Sequence, residues 1–187
     1  PDFVDDAFNT ITHSVSRMER LISQLSGRPK RPESRRVDVR NVMETAVERS
    51  LQREPAPELA VGGEPVWSQA DPEQLATVLE HLIRNAQESV SGDGSVGVSL
   101  VAQTGTAQIQ IADTGCGMSP EFIRDRLFRP FDSTKGSESM GIGAYQAREY
   151  VRSLGGQVEV SSEVGTGTTF ALSLPLEHQI GDRAQST

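Results

Sequence analysis

The residues best suited to chemistry stand in four short segments, in chain order: His81-Leu-Ile-Arg84-Asn85-Ala-Gln-Glu-Ser89, Asp113-Thr-Gly115-Cys-Gly117-Met118, Phe128-Arg-Pro-Phe131-Asp-Ser-Thr-Lys135 and Met140-Gly141-Ile-Gly143-Ala-Tyr145. The amide oxygen of Asn85 is a neutral donor of the kind that completes a Mg²⁺ octahedron otherwise made of water and phosphate oxygens. His81 stands four residues earlier, one turn away on the same helix face. Asp113 ends an Ile109-Gln-Ile111-Ala strand and opens a turn with two glycines. Backbone without Cβ there lets a planar ligand come close, and a carboxylate accepts amino hydrogens. Gly141 and Gly143 open a helix whose first N–H groups suit phosphate. The chain holds only two lysines, Lys30 and Lys135, and the second lies just before those glycines, where an ammonium neutralises phosphate charge. There is no Gly-x-x-x-x-Gly-Lys-Ser/Thr and no His-Glu-x-x-His, which excludes a P-loop and a zinc hydrolase of that type.

The order and spacing of the four segments resemble the N, G1, F and G2 boxes of the histidine-kinase ATPase domain. That Bergerat-fold family also includes gyrase B, the Hsp90 chaperones and the MutL repair proteins, and the resemblance covers residues 37–176. It implies an ATP site made of His81, Asn85, Asp113, Gly115, Gly117, Lys135, Gly141, Gly143 and Thr168. Asn85 would hold Mg²⁺, and Asp113 would select adenine, because guanine presents a carbonyl where adenine presents an amine. Thr168, in Gly165-Thr-Gly167-Thr168-Thr-Phe170, matches the threonine that braces the adenine site, in preference to Thr169. The segment between Phe131 and Gly141 resembles an ATP lid, with Phe128 and Phe131 pinning its base. Where the gyrase and chaperone branches carry a glutamate base, this chain has His81, which disfavours autonomous hydrolysis. Two readings stay open: His81 lines the phosphates or is structural, and Arg84 reaches phosphate or pairs with Glu88. Cys116 reads as a small residue at a variable turn position.

The elements that must position these residues follow from periodicity. Apolar residues at Val4, Phe8, Ile11, Val15, Met18, Ile22 and Leu25 form a heptad seam, the mark of a bundle helix. Residues 28–36, rich in proline and arginine, read as a linker. A strand is expected at Val37–Val39, then a helix at Asn41–Gln52 and short strands near Leu59–Val61 and Val66–Trp67. Asp71-Pro72 caps a helix running to about Val90. A hairpin joins Val96–Leu100 to Ile109–Ile111 through Thr104-Gly105-Thr106. A helix at Pro120–Leu127, another at Ile142–Leu154, and strands at Gln157–Ser161 and Thr168–Leu174 complete the catalytic domain, 37–176. The tail 177–187 reads as disordered. The expected class is α+β: a Bergerat-type α/β sandwich with a mixed, mainly antiparallel sheet and helices on one face, preceded by one long bundle helix.

In histidine kinases similar to this chain, the acceptor imidazole lies on the first helix of a dimeric four-helix bundle beside an acidic residue. The heptad helix takes the place of the second bundle helix, and its His13 lacks an acidic neighbour. The acceptor is therefore expected upstream of Pro1, and a homodimer is expected through the N-terminal helix. The wording Phe-Asp-Ser-Thr-Lys-Gly and Gly-Ile-Gly-Ala-Tyr is similar to kinases of the PEP-CTERM and exosortase exopolysaccharide systems, and more loosely to nitrogen-regulation sensor kinases. This implies a cytoplasmic domain of a membrane-anchored sensor kinase, with the membrane reached only through other regions and a response-regulator receiver domain as phosphate acceptor. The rival readings are a Bergerat-fold ATPase and a degenerate dimerisation or nucleotide-sensing module.

Bulk properties agree. With 187 residues and 35% hydrophobic content the chain can bury one sizeable core. A net charge of -8 repels polyanions, so nucleic acid is not expected as a partner. The lone Cys116 supports neither a disulfide nor a thiolate cluster, which fits a reducing cytosol. No run approaches a membrane span and the first residues are unlike a signal peptide, so a soluble chain is expected.

Overall fold

The computed structural model describes residues 34–103, 105–130 and 141–177, which all belong to one compact unit beginning at Ser34. The heptad helix with His13, the lid residues Phe131, Lys135 and Met140, and the tail beyond Glu177 lie outside the described residues.

Strand β1 (Arg35–Asp38) pairs antiparallel with β3 (Trp67–Ala70) in a two-stranded sheet, Arg35 opposite Ala70 and Asp38 opposite Trp67. Arg35 and Arg36 are thus strand rather than linker. Backbone pairing is indifferent to their charge, and the Arg36 guanidinium stacks 4.3 Å from the Trp67 ring centroid. Glu177, expected in the tail, is likewise fastened: its N–H donates to the Trp67 carbonyl, and its carboxylate accepts from Gln69 Nε2 at 2.8 Å.

Helix α1 (Val39–Ser50) starts two residues earlier than the apolar spacing suggests. Asp38 caps it by accepting from the Arg40 N–H, so Val39, expected in the strand, is its first residue. Helix α2 (Pro72–Ser89) is set by Asp71, whose Oδ1 accepts from the N–H groups of Glu73 and Gln74, with Pro72 in the first turn. It packs between α1 and α4 (Gly143–Ser153). The short α3 (Pro120–Asp125), capped by Ser119, ends two residues before the expected Leu127.

Strands β2 (Glu58–Ala60), β4 (Val96–Gln103), β5 (Thr106–Asp113), β7 (Gly167–Pro175) and β6 (Gln157–Glu163) form a five-stranded sheet in the order β2-β4-β5-β7-β6. Only β2 and β4 run parallel. Along β5 burial alternates strictly, with Ala107, Ile109, Ile111 and Asp113 turned inward. Thr168, Phe170, Leu172 and Leu174 do the same on β7. These inward side chains meet Leu75, Leu79, Leu82 and Ile83 of α2, which are fully buried. Removing each such side chain from water is worth about 1.5–3 kcal/mol. The opposite face carries Gln108, Gln110, Thr169 and Ser173, none of them fully buried, as in a sheet covered by helices on one side only. The expected α+β class and one-sided helical layer are what the structure has.

Candidate functional site

Helix α2 brings one end of the site together. A methyl group placed on Gly143 would lie 3.4 Å from Nδ2 of Asn85 and 3.6 Å from Cβ of His81. The start of α4 therefore abuts the face of α2 that carries both residues. Among the described residues no side chain caps α4; its N-cap is Ile142, preceded by Gly141 at φ 62°. The first-turn N–H groups and the positive end of the helix dipole thus lie beside the stretch of α2 that carries Asn85 and His81. Burial lowers the pKa of His81 below its usual value, Arg84 lowers it further, and Glu80 acts in the opposite sense. The ring is accordingly neutral at pH 7, able to donate one hydrogen bond and accept one. Of the two partners open to Arg84, the structure shows Glu88, at 3.9 Å one turn further on. Arg53 reaches the same carboxylate at 3.5 Å.

The other end of the site lies where β5 and β7 finish side by side. Asp113 pairs in register with Thr168, and the two are 9% and 5% exposed, turned to the same face as the core residues. That parity separates Thr168 from Thr169, which faces the other side. One oxygen of Asp113, Oδ1, accepts from the Ser89 hydroxyl at 2.8 Å and from the Gly115 N–H at 2.9 Å. Oδ2 has no donor among the described residues and remains an acceptor. Ser162 organises the neighbouring wall: its hydroxyl donates to the Gly167 carbonyl at 2.8 Å, accepts from the Met118 N–H at 2.8 Å and lies 2.9 Å from Thr168 Oγ1. With its single proton on Gly167, Thr168 is the donor in that last contact, and the threonine oxygen presents only lone pairs.

The two glycines of the turn have a packing reason of their own. A Cβ on Gly115 would sit 2.3 Å from Ser89 Oγ and 2.5 Å from Ser89 O; on Gly117, where φ is 64°, it would sit 2.0 Å from Glu163 O. The absent Cβ atoms thus leave room for Ser89 at Gly115 and for the Glu163 backbone at Gly117. Gly167 (φ 136°), which sequence reasoning passed over, is equally constrained, with Asp113 O at 2.0 Å from its missing Cβ. Ser89 and Ser162 were also missed. Ser89 had a legible signal, being four residues beyond Asn85 and eight beyond His81, hence on the same stripe of α2. Ser162 had none, since only the β6–β7 register brings it to Thr168. Phe128 is partly buried against the core with the Arg148 guanidinium 4.5 Å from its ring centroid, which anchors the segment before the lid to α4.

Comparison with known proteins agrees with this layout. The family described as histidine kinase-, DNA gyrase B- and HSP90-like ATPase matches residues 70–178. Sensor histidine kinase ZraS of Escherichia coli (strain K12) is 33% identical over 108 residues, 58% of this chain and 23% of ZraS. Histidine protein kinase DivJ of Caulobacter vibrioides is 33% identical over 111 residues, 57% of this chain and 18% of DivJ. The chain thus spans less than a quarter of the length of either relative. Among solved structures, the mycobacterial sensor histidine kinase MprB superposes with a TM-score of 0.68 at 26% identity, covering 77% of this chain and 98% of that one. Full-length ShkA in complex with AMPPNP gives a TM-score of 0.66 at 25% identity, over 78% of this chain and 31% of ShkA. The chain belongs to the histidine kinase-, DNA gyrase B- and HSP90-like ATPase family, as a catalytic ATP-binding domain of the sensor histidine kinase type.

Proposed function

We propose that this domain binds Mg-ATP along α2 and presents the γ-phosphate to a histidine of the dimerisation helices of the intact kinase, for relay to a response-regulator receiver domain. The observation that carries the reading is that one helix holds both ends of the site: His81 and Asn85 against the uncapped start of α4, and Ser89 against Asp113. Adenine fits the Asp113 end, where Oδ2 accepts an exocyclic amine. The triphosphate fits the α4 end, where free N–H groups and a neutral His81 can donate. Gly141 and Gly143 keep that approach open, Lys135 adds positive charge, and Gly115, Gly117 and Thr168 shape the adenine end.

The donor set also suits Mg²⁺. The protein would offer one neutral oxygen, that of Asn85, beside the start of α4, and leave the other positions to phosphate and water. When bound, the ion neutralises charge on the phosphate oxygens. Asn85 would orient it, α4 would hold the phosphates, and His81 would stand where the gyrase and chaperone branches carry a glutamate base. That supports phosphotransfer over hydrolysis.

Homodimerisation through the N-terminal helix and a membrane anchor elsewhere in the intact protein are part of the same reading. Among the described residues no helix is long and apolar enough to cross a membrane. The wording of residues 131–145 supports the PEP-CTERM and exosortase type of kinase.

Calorimetric titration with ADP and ATP tests the proposal. Binding that strengthens with Mg²⁺, falls by about tenfold or more in Asp113→Asn, and loses its Mg²⁺ dependence in Asn85→Ala is the expected result. Absence of nucleotide binding, or an unaltered Asp113→Asn, would replace it with a degenerate module. With labelled ATP this chain is expected to acquire no base-stable phosphate, because His13, the histidine of the heptad helix, lacks the acidic neighbour that an acceptor needs.

A further inference from the structure

Ser89 is joined to the adenine end of the site by two hydrogen bonds made from a different element. Its hydroxyl oxygen lies 2.8 Å from Asp113 Oδ1, its carbonyl accepts from the Cys116 N–H at 3.1 Å, and the missing Cβ of Gly115 leaves it the room to do so. The same hydroxyl also lies 2.8 Å from the Ala86 carbonyl, the local bond that a serine in a last helical turn ordinarily makes. It has one proton for two acceptors. The two acceptors stand at the same distance, and a carboxylate oxygen is the stronger of them, so the proton belongs to Asp113.

We propose that Ser89 is a positioning residue that sets base specificity: by occupying Asp113 Oδ1 together with the Gly115 N–H, it fixes the carboxylate plane and leaves Oδ2 as the one acceptor facing the 6-position of a purine. The Gly115 bond alone closes a turn two residues long and moves with Asp113. A second donor on α2 ties the carboxylate to the helix that also carries Asn85 and His81. Residues 81, 85 and 89 fall on one stripe about 12 Å long at the usual helical rise, so base recognition and phosphate placement share one rigid frame. A 6-amino purine then donates to an oxygen already aimed, while a 6-oxo purine brings a carbonyl against that oxygen and is rejected.

The inference rests on the nucleotide reading above, and the test separates the two. Dissociation constants for ADP and inosine diphosphate are measured by calorimetry on the full 187-residue chain and its Ser89→Ala variant, with melting of the nucleotide-free proteins as a check on the fold. ADP should weaken about five- to tenfold in the variant and inosine diphosphate by less than about twofold, shrinking the preference. Equal weakening of both, or an unchanged ADP affinity, overturns the role of Ser89 while leaving the adenine site in place. A wild-type chain with no preference for ADP overturns both readings. If Ser89→Ala fails to fold, Ser89→Thr is compared with its isostere Ser89→Val, and the same preference should survive only in the variant that keeps a hydroxyl.

Discussion

At the scale of single residues, the site works through which atoms are already satisfied. In the proposed site Asp113 serves through one oxygen occupied by Ser89 and Gly115 and a second that has no donor among the described residues. In the proposed site His81 serves as an uncharged ring. Burial, with Arg84 in support, holds its pKa below the usual value of 6.5. A base whose folded pKa is lowered adds stability that is fully present above the unfolded value of about 6.5 and is lost as pH falls through the folded one, since the unfolded chain takes up the proton first. The wild-type domain is therefore expected to lose more stability between pH 7 and pH 5.5 than His81→Gln does, measured by urea unfolding at each pH. Parallel pH profiles would remove His81 as the source.

At the scale of elements, the site depends on how α2 is held at each end. At its start, Tyr150 of α4 donates from its hydroxyl to the Asp71 carbonyl at 3.0 Å and accepts from the Asp71 N–H at 3.1 Å. Burial, with the Asp71 charge in the same sense and the backbone bond opposing, pushes that phenol up to about 12. Tyr150→Phe leaves the Asp71 N–H unpaired at the N-cap, and a loss of about 1–2 kcal/mol in urea unfolding is expected with little change in ADP affinity. At its end, the turn 113–117 is wedged between Ser89 and Glu163, the Gly165 N–H donating to the Cys116 carbonyl at 2.8 Å. Gly117→Ala would bring a Cβ to 2.0 Å from Glu163 O at φ 64°. A destabilisation of about 3 kcal/mol or more follows. A variant as stable as wild type would show that this turn has room to relax.

At the scale of the molecule, α2 lies between α1 and α4 and over β4, β5 and β7, so the two ends of the site cannot separate without opening the core. Nucleotide binding should therefore stabilise the whole unit from Ser34 onward instead of one lobe. At a hundred times the dissociation constant of Mg-ADP the gain is about 2.7 kcal/mol, which for a domain of this size raises Tm by about 5–10 °C. A single calorimetric transition that moves by that amount is expected. A shift of only part of the transition would mean that the halves of the site melt independently.

By itself the sequence determined what local geometry encodes. Asp71-Pro72 and the apolar spacing from Leu75 to Ala86 define α2, and the four-residue step from His81 to Asn85 puts both on one face, because helical periodicity is a property of consecutive residues. Alternation along Ile109–Ile111 and Phe170–Leu174 likewise defines two strands with one inward face each, and the four segments identify the family. Only the tertiary structure decided what depends on register between distant strands. Asp113 stands opposite Thr168 because β5 and β7 align to bury Ile111 beside Phe170 and Ile109 beside Leu172. A shift of one residue would turn each buried set outward. Other pairings across the fold decide the rest: the β6–β7 register brings Ser162 to Thr168, pairing with β3 draws Arg35 and Arg36 out of the linker into β1, and the packing of α2 puts Ser89 against the Asp113 carboxylate and the turn that holds Gly115. Such contacts exist only once the helices have closed over the sheet, which is why Ser89 reads as an ordinary helix-end serine until its neighbour across the fold is known.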